Sequence, residues 1–186
     1  MNERMILAGF GGQGLMLLGK LFCFFEMHND LHVTYIPSYG AEMRGGTANC
    51  SVRISEDPIA SPMVPVASTI VVMNQPSYEK FKNRLEPGGY LFSNSSLVEI
   101  TDPPEGINII EVPATEMAAE IGDVRNANMV ILGVMNHIKK FADNEFIWEQ
   151  FPEFLGQTKL KLIDSLKTGM LKGEEYAREH FQPATA

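Results

Sequence analysis

Apolar stretches alternate with polar breaks along most of the chain, and the spacing of the apolar positions predicts strands and helices in turn. Short apolar or β-branched runs are typical of strands, whereas apolar positions three and four residues apart are typical of helices. The predicted strands cover residues 4–8, 32–36, 49–55, 69–73, 90–93 and 107–112. Strands that alternate with helices in this way predict an α/β fold, here a three-layer, Rossmann-like open sheet that is mainly parallel.

The same pattern predicts helices between these strands and over the last third of the chain. They cover residues 13–27, a segment opened by Pro76 that includes Tyr78, Phe81 and Leu85, and residues 113–121, 129–141 and 159–181. The second of these helices should stop at Pro87-Gly88-Gly89, because Gly and Pro end helices. Asn126 or Asn128 should cap the fourth helix with its side chain. The tail from residue 182 should fray.

One predicted strand should run against its neighbours. In residues 49–55, apolar Cys50, Val52 and Ile54 alternate with polar positions, which predicts a half-buried strand. The preceding loop is short for a crossover, because two parallel neighbours need about a dozen connecting residues or more, usually with a helix. We therefore predict that this strand is antiparallel to a neighbour and that the sheet is mixed.

Composition narrows the class of protein. A length of 186 residues predicts a single domain spanning residues 1–186, and 45% apolar with 20% charged residues indicates a globular chain. A net charge of −8 argues against a nucleic-acid binder, and no apolar run is long enough to cross a bilayer. Met1 leads almost directly into the first predicted strand without room for a signal peptide, so the cytoplasm is the expected compartment.

A glycine-rich turn follows the first predicted strand. Gly9, Gly11 and Gly14 have the spacing of the G-x-G-x-x-G motif, in which backbone N–H groups at a helix N-terminus bind phosphate. A dinucleotide site also needs an acidic residue at the end of the second strand to bind the ribose hydroxyls. That position holds Ile-Pro-Ser-Tyr at residues 36–39, and the nearest acid is Glu42. The motif is therefore incomplete, although a stand-alone dinucleotide-binding protein or redox sensor stays open as the alternative function.

Ligands of open α/β sheets bind at the carboxyl ends of the strands. In this chain the predicted strand ends are followed mostly by glycine, amide and hydroxyl groups, which suit backbone contacts and hydrogen bonds. The candidate residues are Gly11, Gly12, Gln13 and Gly14 in the turn, Tyr39, Glu42, Arg44, Gly45 and Gly46 in the loop after the second strand, and Asn74, Gln75, Asn94 and Ser95 in a crevice.

No catalytic or metal-binding set accompanies these residues in the sequence. The four histidines lie outside the predicted loops, and no close carboxylate pair or Ser/His/Asp set appears there. Cys23 and Cys50 are the only cysteines, and two thiolates cannot hold an iron–sulfur cluster or a structural zinc. We interpret them as buried, inert thiols. The sequence therefore predicts no catalytic residue and no metal site on this chain alone, but a subunit that completes the site of other subunits.

Four stretches carry a resemblance to a known family. They are Gly-Phe-Gly-Gly-Gln-Gly at residues 9–14, Pro-Ser-Tyr-Gly-Ala-Glu-Met-Arg-Gly-Gly-Thr-Ala-Asn-Cys at residues 37–50, Met-Asn-Gln-Pro at residues 73–76 and Asn-Ser-Ser at residues 94–96. In order and spacing, residues 5–141 resemble the gamma subunit of 2-oxoacid:ferredoxin oxidoreductases of the 2-oxoglutarate or 2-ketoisovalerate type. The Ser-Tyr-Gly-Ala-Glu-Met-Arg-Gly-Gly stretch is a far more specific signal than the glycine turn.

The resemblance implies a subunit of a complex that decarboxylates a 2-oxoacid on thiamine diphosphate, forms an acyl-coenzyme A and passes electrons through iron–sulfur clusters to ferredoxin. Thiamine diphosphate and the clusters would lie on other subunits or domains, the expected partners are alpha, beta and delta subunits, and this chain alone would bind no cofactor. The resemblance further implies that Tyr39, Glu42, Arg44, Gly45 and Gly46 face the catalytic partners. The glycine turn would support this loop or meet a phosphate of coenzyme A. Among substrates, 2-oxoglutarate or a branched-chain 2-oxoacid is favoured over pyruvate.

Overall fold

The chain folds into two compact units. A computed structural model describes residues 2–39 and 47–181, and the two units are Met1–Val112 and Pro113–Ala186. The first unit holds a β-sheet with two α-helices, and the second is built of helices. The tail that was predicted to fray from residue 182 lies outside the described residues.

A six-stranded sheet organises the first unit. Its strands are β1 (Asn2–Phe10), β2 (His32–Tyr39), β3 (Thr47–Ser55), β4 (Ala67–Val72), β5 (Leu85–Asn94) and β6 (Asn108–Val112). Their order across the sheet is β2-β3-β1-β4-β5-β6. β1, β4, β5 and β6 pair in parallel along this order, whereas β3 pairs antiparallel with both β1 and β2. The predicted mainly parallel α/β sheet, with an antiparallel strand over residues 49–55, is confirmed.

Helix α1 (Leu15–His28) packs against β1, β2 and β3. Gly19 permits a close approach to the sheet, because a Cβ added there would lie 2.6 Å from the Cys50 sulfur on β3. The same Cβ would lie 3.0 Å from the Tyr35 ring on β2. A larger residue at position 19 would therefore push α1 away from β2 and β3, the two strands that flank the loop of residues 40–46.

Helix α2 (Gln75–Phe81) covers an apolar core of the first unit. Tyr78 and Phe81 are the buried aromatic residues that α2 contributes, and the Tyr78 hydroxyl donates to the Thr101 carbonyl at 2.6 Å. The strand residues of this core, all buried, are Ile6, Ala8, Ala67, Ile70, Val72, Leu85 and Leu91. Since each large apolar side chain contributes about 1.5–3 kcal/mol when fully buried, this core holds β1, β4 and β5 in a fixed relation.

Four helices build the second unit: α3 (Ala114–Glu120), α4 (Ala127–Lys139), α5 (Asn144–Leu155) and α6 (Ile163–His180). α4 and α6 touch through glycines, because a Cβ added to Gly133 on α4 would overlap the Met170 carbonyl of α6. After α4, the Asn136 side chain closes the turn. Its amide donates to the Ala142 carbonyl at 2.8 Å, and its oxygen accepts from the Ala142 N–H at 3.1 Å. Both ends of the Asn136 amide are therefore paired within this turn.

The predicted end of the second helix was wrong. α2 ends at Phe81, a 3-10 turn spans Lys82–Arg84, and Leu85 is already in β5. The Arg84 guanidinium bonds the Val64 and Pro65 carbonyls, which anchors the chain beside the start of β4. Leu85 then pairs with Ala67, and a register irregularity before Tyr90 accommodates Pro87-Gly88-Gly89 inside the strand. These long-range contacts outweigh the local helical pattern.

The predicted cap of α4 was also wrong. Asn126 does occupy the N-cap position, but its side chain makes no capping bond to the helix. Its amide donates instead to Ser165, at 2.6 Å to the hydroxyl and 3.2 Å to the carbonyl. Asn128 lies inside the helix. The last helix begins at Ile163, four residues after its predicted start at residue 159, because a 3-10 turn occupies Gln157–Leu162.

The two cysteines are expected to resist thiol reagents in the native protein. Cys23 and Cys50 are buried, and burial raises the pKa of each thiol to about 12. At pH 8 about one thiol in ten thousand would then be ionised, and only the thiolate reacts. We expect negligible reaction with a disulfide reagent over minutes in buffer and reaction of both thiols in guanidinium. Rapid release of one equivalent from the native protein would contradict this burial.

Glu26 on α1 is expected to make stability fall as the pH rises. It is 1% exposed, its Oε1 has no hydrogen-bond partner in the described structure, and burial raises the pKa of this carboxyl above its ordinary value. The folded state therefore holds the proton more tightly, so stability is greatest below the ordinary pKa and is lost as the pH passes the raised value.

Glu26→Gln keeps the shape of the side chain without its charge. We expect the difference in melting temperature between variant and parent to grow in favour of the variant from pH 4.5 to pH 8. The growth should be a few degrees if the variant recovers about 1 kcal/mol of unfolding free energy. Calorimetry at the two pH values measures the gain. A difference between variant and parent that does not change with pH would contradict the expectation. Glu149→Gln, at an exposed position on α5, is the control.

Candidate functional site

The carboxyl ends of the strands form one edge of the sheet, where β1 ends at Phe10 and β4 at Val72. β1 and β4 are neighbours, but the chain leaves β1 toward β2 on one side, whereas β5 and β6 follow β4 on the other. The strand order therefore reverses between β1 and β4. Such a reversal opens the crevice in which open α/β sheets bind ligands.

The glycine turn lies directly at this reversal. Gly11 and Gly12 are exposed, and Gly12 has φ 97°, a conformation that favours glycine. Gly14, with φ 74°, occupies the N-cap position of α1. The sequence thus correctly predicted a strand that leads into a helix through a tight turn, and the turn presents backbone at the surface.

Gln13 is the polar side chain of this turn, and it folds back onto the sheet. Its Oε1 accepts from the Phe10 N–H at 2.6 Å, and its Nε2 donates to the Met73 carbonyl at 3.0 Å. The backbone N–H of Gln13 also donates to the Phe10 carbonyl at 3.2 Å. Gln13 therefore links the end of β1 to the residue after β4.

The loop with the most specific sequence signal begins and ends at the same edge. In the register of the sheet, Tyr39 lies opposite Ala48, and Thr47 lies opposite Phe10. The two flanks of residues 40–46 are thus next to the glycine turn. Glu42, Arg44, Gly45 and Gly46 lie outside the described residues, and Tyr39 is placed by its backbone in β2.

Asn74 and Gln75 have structural partners in the crevice. The Asn74 Oδ1 accepts from the Ser77 N–H at 2.9 Å and so caps α2, while its buried Nδ2 has no partner in the described structure. The Gln75 amide donates to the Glu99 carbonyl at 3.1 Å, and its oxygen accepts from the Glu99 N–H at 2.8 Å. Gln75 therefore fixes the connection after β5.

The other two crevice residues differ in exposure. Asn94, at the end of β5, is fully buried, and its carbonyl accepts from the Leu97 N–H at 2.9 Å. Ser95 is exposed, and its N–H donates to the Val112 carbonyl of β6 at 2.8 Å. The sequence analysis missed Ser93, which is also fully buried on β5 and whose hydroxyl has no partner in the described structure. A single serine in an apolar strand gives no sequence signal of such a position.

Metal-ligating and membrane-spanning features were searched over the same residues. Within residues 2–39 and 47–181, no three His, Cys, Asp or Glu side chains come together in a way that could hold a metal ion. No helix in that part of the chain has the length and apolar character needed to span a membrane.

The family model of the pyruvate ferredoxin/flavodoxin oxidoreductases matches residues 4–168. The chain belongs to this family. The matched range includes the glycine turn, residues 37–50 and the crevice residues, so the whole candidate edge lies inside the family domain. The resemblance that the four sequence stretches predicted is confirmed.

Sequence relatives include subunits of two kinds of family member. The chain is 33% identical to the ketoisovalerate oxidoreductase subunit VorA of Methanothermobacter thermautotrophicus over 96% of its length, and it spans 37% of VorA. It is 31% identical to the 2-oxoglutarate synthase subunit KorC of Methanocaldococcus jannaschii, over 78% of this chain and 79% of KorC. The chain thus spans little more than a third of the VorA relative.

A solved structure shares the fold. The keto/oxoacid ferredoxin oxidoreductase gamma subunit of Geobacter sulfurreducens superposes with a TM-score of 0.79 at 23% identity, over 95% of this chain and 98% of that one. The described α/β architecture is therefore shared with that solved structure.

Proposed function

We propose that this chain is the gamma-type subunit of a multisubunit 2-oxoacid:ferredoxin oxidoreductase. The complex would oxidatively decarboxylate a 2-oxoacid to the acyl-coenzyme A and pass the electrons to ferredoxin. The observation that carries the proposal is the match of the oxidoreductase family over residues 4–168, with the flanks of the specific loop and the glycine turn at one sheet edge.

In this proposal the subunit shapes a site whose reactive groups belong to its partners. Two buried cysteines are too few for an iron–sulfur cluster. The clusters and thiamine diphosphate would therefore lie on other subunits, as the family resemblance implies, with alpha, beta and delta subunits as the expected partners. Residues 39–46 would face those subunits. The exposed backbone of Gly11 and Gly12 offers N–H groups suited to a phosphate, and coenzyme A carries phosphates at its nucleotide end.

The favoured substrate is 2-oxoglutarate. Its support is the relationship to the 2-oxoglutarate synthase subunit KorC, which this chain covers over most of its length. A branched-chain 2-oxoacid is the second candidate, because the ketoisovalerate subunit VorA aligns over nearly the whole of this chain. The side chains at the described edge are amide and hydroxyl groups, so the choice between the acids would rest mainly on the partner subunits.

Isolation of the native complex tests the function. The chain would be tagged at its chromosomal locus, recovered from anaerobic cell extract and assayed for coenzyme A-dependent viologen reduction with 2-oxoglutarate, 2-ketoisovalerate and pyruvate. We expect co-purified partners and activity that is highest with 2-oxoglutarate. A chain recovered alone, with no activity on any acid, would contradict the proposal.

An NADH titration separates this function from a dinucleotide-binding protein or redox sensor. β2 carries Ile36, Pro37 and Ser38 where a ribose-binding acid would stand. We expect no saturable change in NADH fluorescence up to millimolar concentration with the isolated chain. Binding in the micromolar range would favour the alternative.

A further inference from the structure

Each end of the Gln13 side-chain amide has a partner of the matching kind: the oxygen accepts from the Phe10 N–H, and the NH₂ group donates to the Met73 carbonyl. The Phe10 N–H can only donate and the Met73 carbonyl can only accept, so the amide has one productive orientation. A methionine at this position would keep the length of the side chain and lose both bonds. A glutamate would keep the bond from Phe10 and place a negative oxygen against the Met73 carbonyl.

The sequence around Gln13 leaves room for this arrangement. A Cβ added to Gly9 would lie 2.5 Å from the Gln13 Oε1 and 3.0 Å from the Met73 Cβ. Any larger residue at position 9 would therefore displace the amide. The Met73 N–H donates to the Ala8 carbonyl at 2.9 Å, so the Gln13 bond extends the β1–β4 pairing beyond the last backbone bond.

The bonds of Gln13 fix a surface that is otherwise built of glycine. Phe10 is 39% exposed and Gly11 and Gly12 are exposed, so the turn would be free to change conformation without a side-chain anchor. Phe10 also lies opposite Thr47, the residue that follows the loop 40–46. The position of the turn is thereby tied to one flank of that loop.

We propose that Gln13 is a positioning residue: its side chain is a latch that anchors the Phe10–Gly12 turn to the end of β4 and holds it as a preformed surface beside the loop that the proposed function assigns to the catalytic partner subunits. The inference rests on the proposed function for the identity of the partner, but the latch itself is a property of this chain. A preformed surface binds without the entropy cost of ordering a flexible glycine segment.

Hydrogen exchange on the full chain tests the latch without any activity. The amide of Phe10 should exchange at least about tenfold faster in Gln13→Met, whereas Gln13→Glu should keep most of the protection, because a tenfold change corresponds to about 1.4 kcal/mol and fits the loss of one hydrogen bond. Gln75→Met is the matched control, since it loses the same kind of paired bonds but at Glu99. Unchanged exchange of Phe10 in Gln13→Met would overturn the latch.

Kinetics of the assembled complex test the positioning role. We expect Gln13→Met to lower kcat/KM of the complex for the 2-oxoacid at least tenfold. The melting temperature of the variant chain should stay that of the parent. Asn108→Ala is the control, because the Asn108 amide also donates to a backbone carbonyl, that of Gly88 at 2.7 Å, but at the amino end of β6. It should stay within about twofold of the parent.

The outcomes separate the two proposals. Faster Phe10 exchange with full activity in Gln13→Met would leave the latch as a local structural bond and overturn its positioning role. A parent complex without activity on any 2-oxoacid would overturn the proposed function and the partner assigned to the turn, whatever the exchange result. Loss of activity in both Gln13→Met and Asn108→Ala would indicate general destabilisation and also contradict the role of Gln13.

Discussion

Replacing Gly133 or Gly173 with alanine is expected to lower the free energy of unfolding by roughly 1–3 kcal/mol, because an added methyl group would meet backbone that cannot move aside. A Cβ on Gly133 would overlap the Met170 carbonyl and lie 2.8 Å from the Glu174 nitrogen. A Cβ on Gly173 would overlap the Val130 carbonyl. Each glycine thus allows one backbone contact between α4 and α6.

The higher helix propensity of alanine opposes the loss of stability expected from overpacking, so a measured loss is stronger evidence for close packing. Alanine is favoured over glycine by about 1 kcal/mol in a helix interior, so an uncrowded Gly→Ala change in α4 or α6 would stabilise the protein. Overpacking must outweigh that gain before any loss is observed. A clear loss would therefore show that the helices pack at backbone contact distance.

Equilibrium unfolding in urea measures both variants. Glu175→Ala, at an exposed position on α6, is the control and should stay within about 0.5 kcal/mol of the parent. The double variant should lose less than the sum of the two single losses, because the two methyl groups would separate the same pair of helices. A Gly173→Ala variant as stable as the parent would contradict the packing.

Local pattern and connection length predicted the strands and the mixed character of the sheet, although not the order of its strands. β3 was correctly predicted as antiparallel because the connection that leads into it is short for a crossover, which usually contains a helix. The glycine turn was correctly placed because a strand, three spaced glycines and a helix follow one another in sequence. Both predictions depend only on residues close together in the chain.

Predictions failed where a distant residue decides the local structure. Leu85 looked like the last turn of a helix, but Arg84 is anchored to the Val64 and Pro65 carbonyls. Asn126 looked like a helix cap, but its amide is bonded to Ser165, 39 positions away. No local pattern encodes such partners, and tertiary contacts of this kind regularly override propensity.

In the candidate site too, local features were predicted from the sequence and long-range contacts were not. That Gln13 belongs to the turn was predicted from the sequence, whereas its bond to Met73 depends on β1 and β4 being neighbours, which only the strand order shows. Helix α5 was missed altogether. Pro152 and several acidic residues interrupt its apolar pattern, although Ile147 and Phe151 are buried at helical spacing.

Arg44→Ala is expected to lower kcat/KM of the assembled complex by at least about tenfold without unfolding the subunit. In the proposed function, Arg44 would face the catalytic partner subunits, whose ligands, a 2-oxoacid and coenzyme A, are both anionic, and a guanidinium binds such groups through paired hydrogen bonds. Hydrogen bonds to charged groups contribute about 1.5–3 kcal/mol, and 1.4 kcal/mol corresponds to a factor of ten. Steady-state viologen reduction with varied 2-oxoacid and varied coenzyme A measures which of the two ligands is affected.

Two further variants distinguish an active-site role from a structural ion pair with Glu42. Arg44→Lys keeps the charge but loses the planar guanidinium with its paired N–H donors. If Arg44 binds an anion through two such donors, Arg44→Lys should be more active than Arg44→Ala but less active than the parent. Glu42→Gln should copy the loss of Arg44→Ala only if the two residues act as a pair. Arg53→Ala is the control on the same sheet, because Arg53 lies opposite Arg4 toward the amino end of β1 and bonds the Ser61 carbonyl at 2.6 Å. Turnover unchanged by Arg44→Ala in a normally assembled complex would place Arg44 outside the active site and leave the glycine turn as the remaining candidate contact.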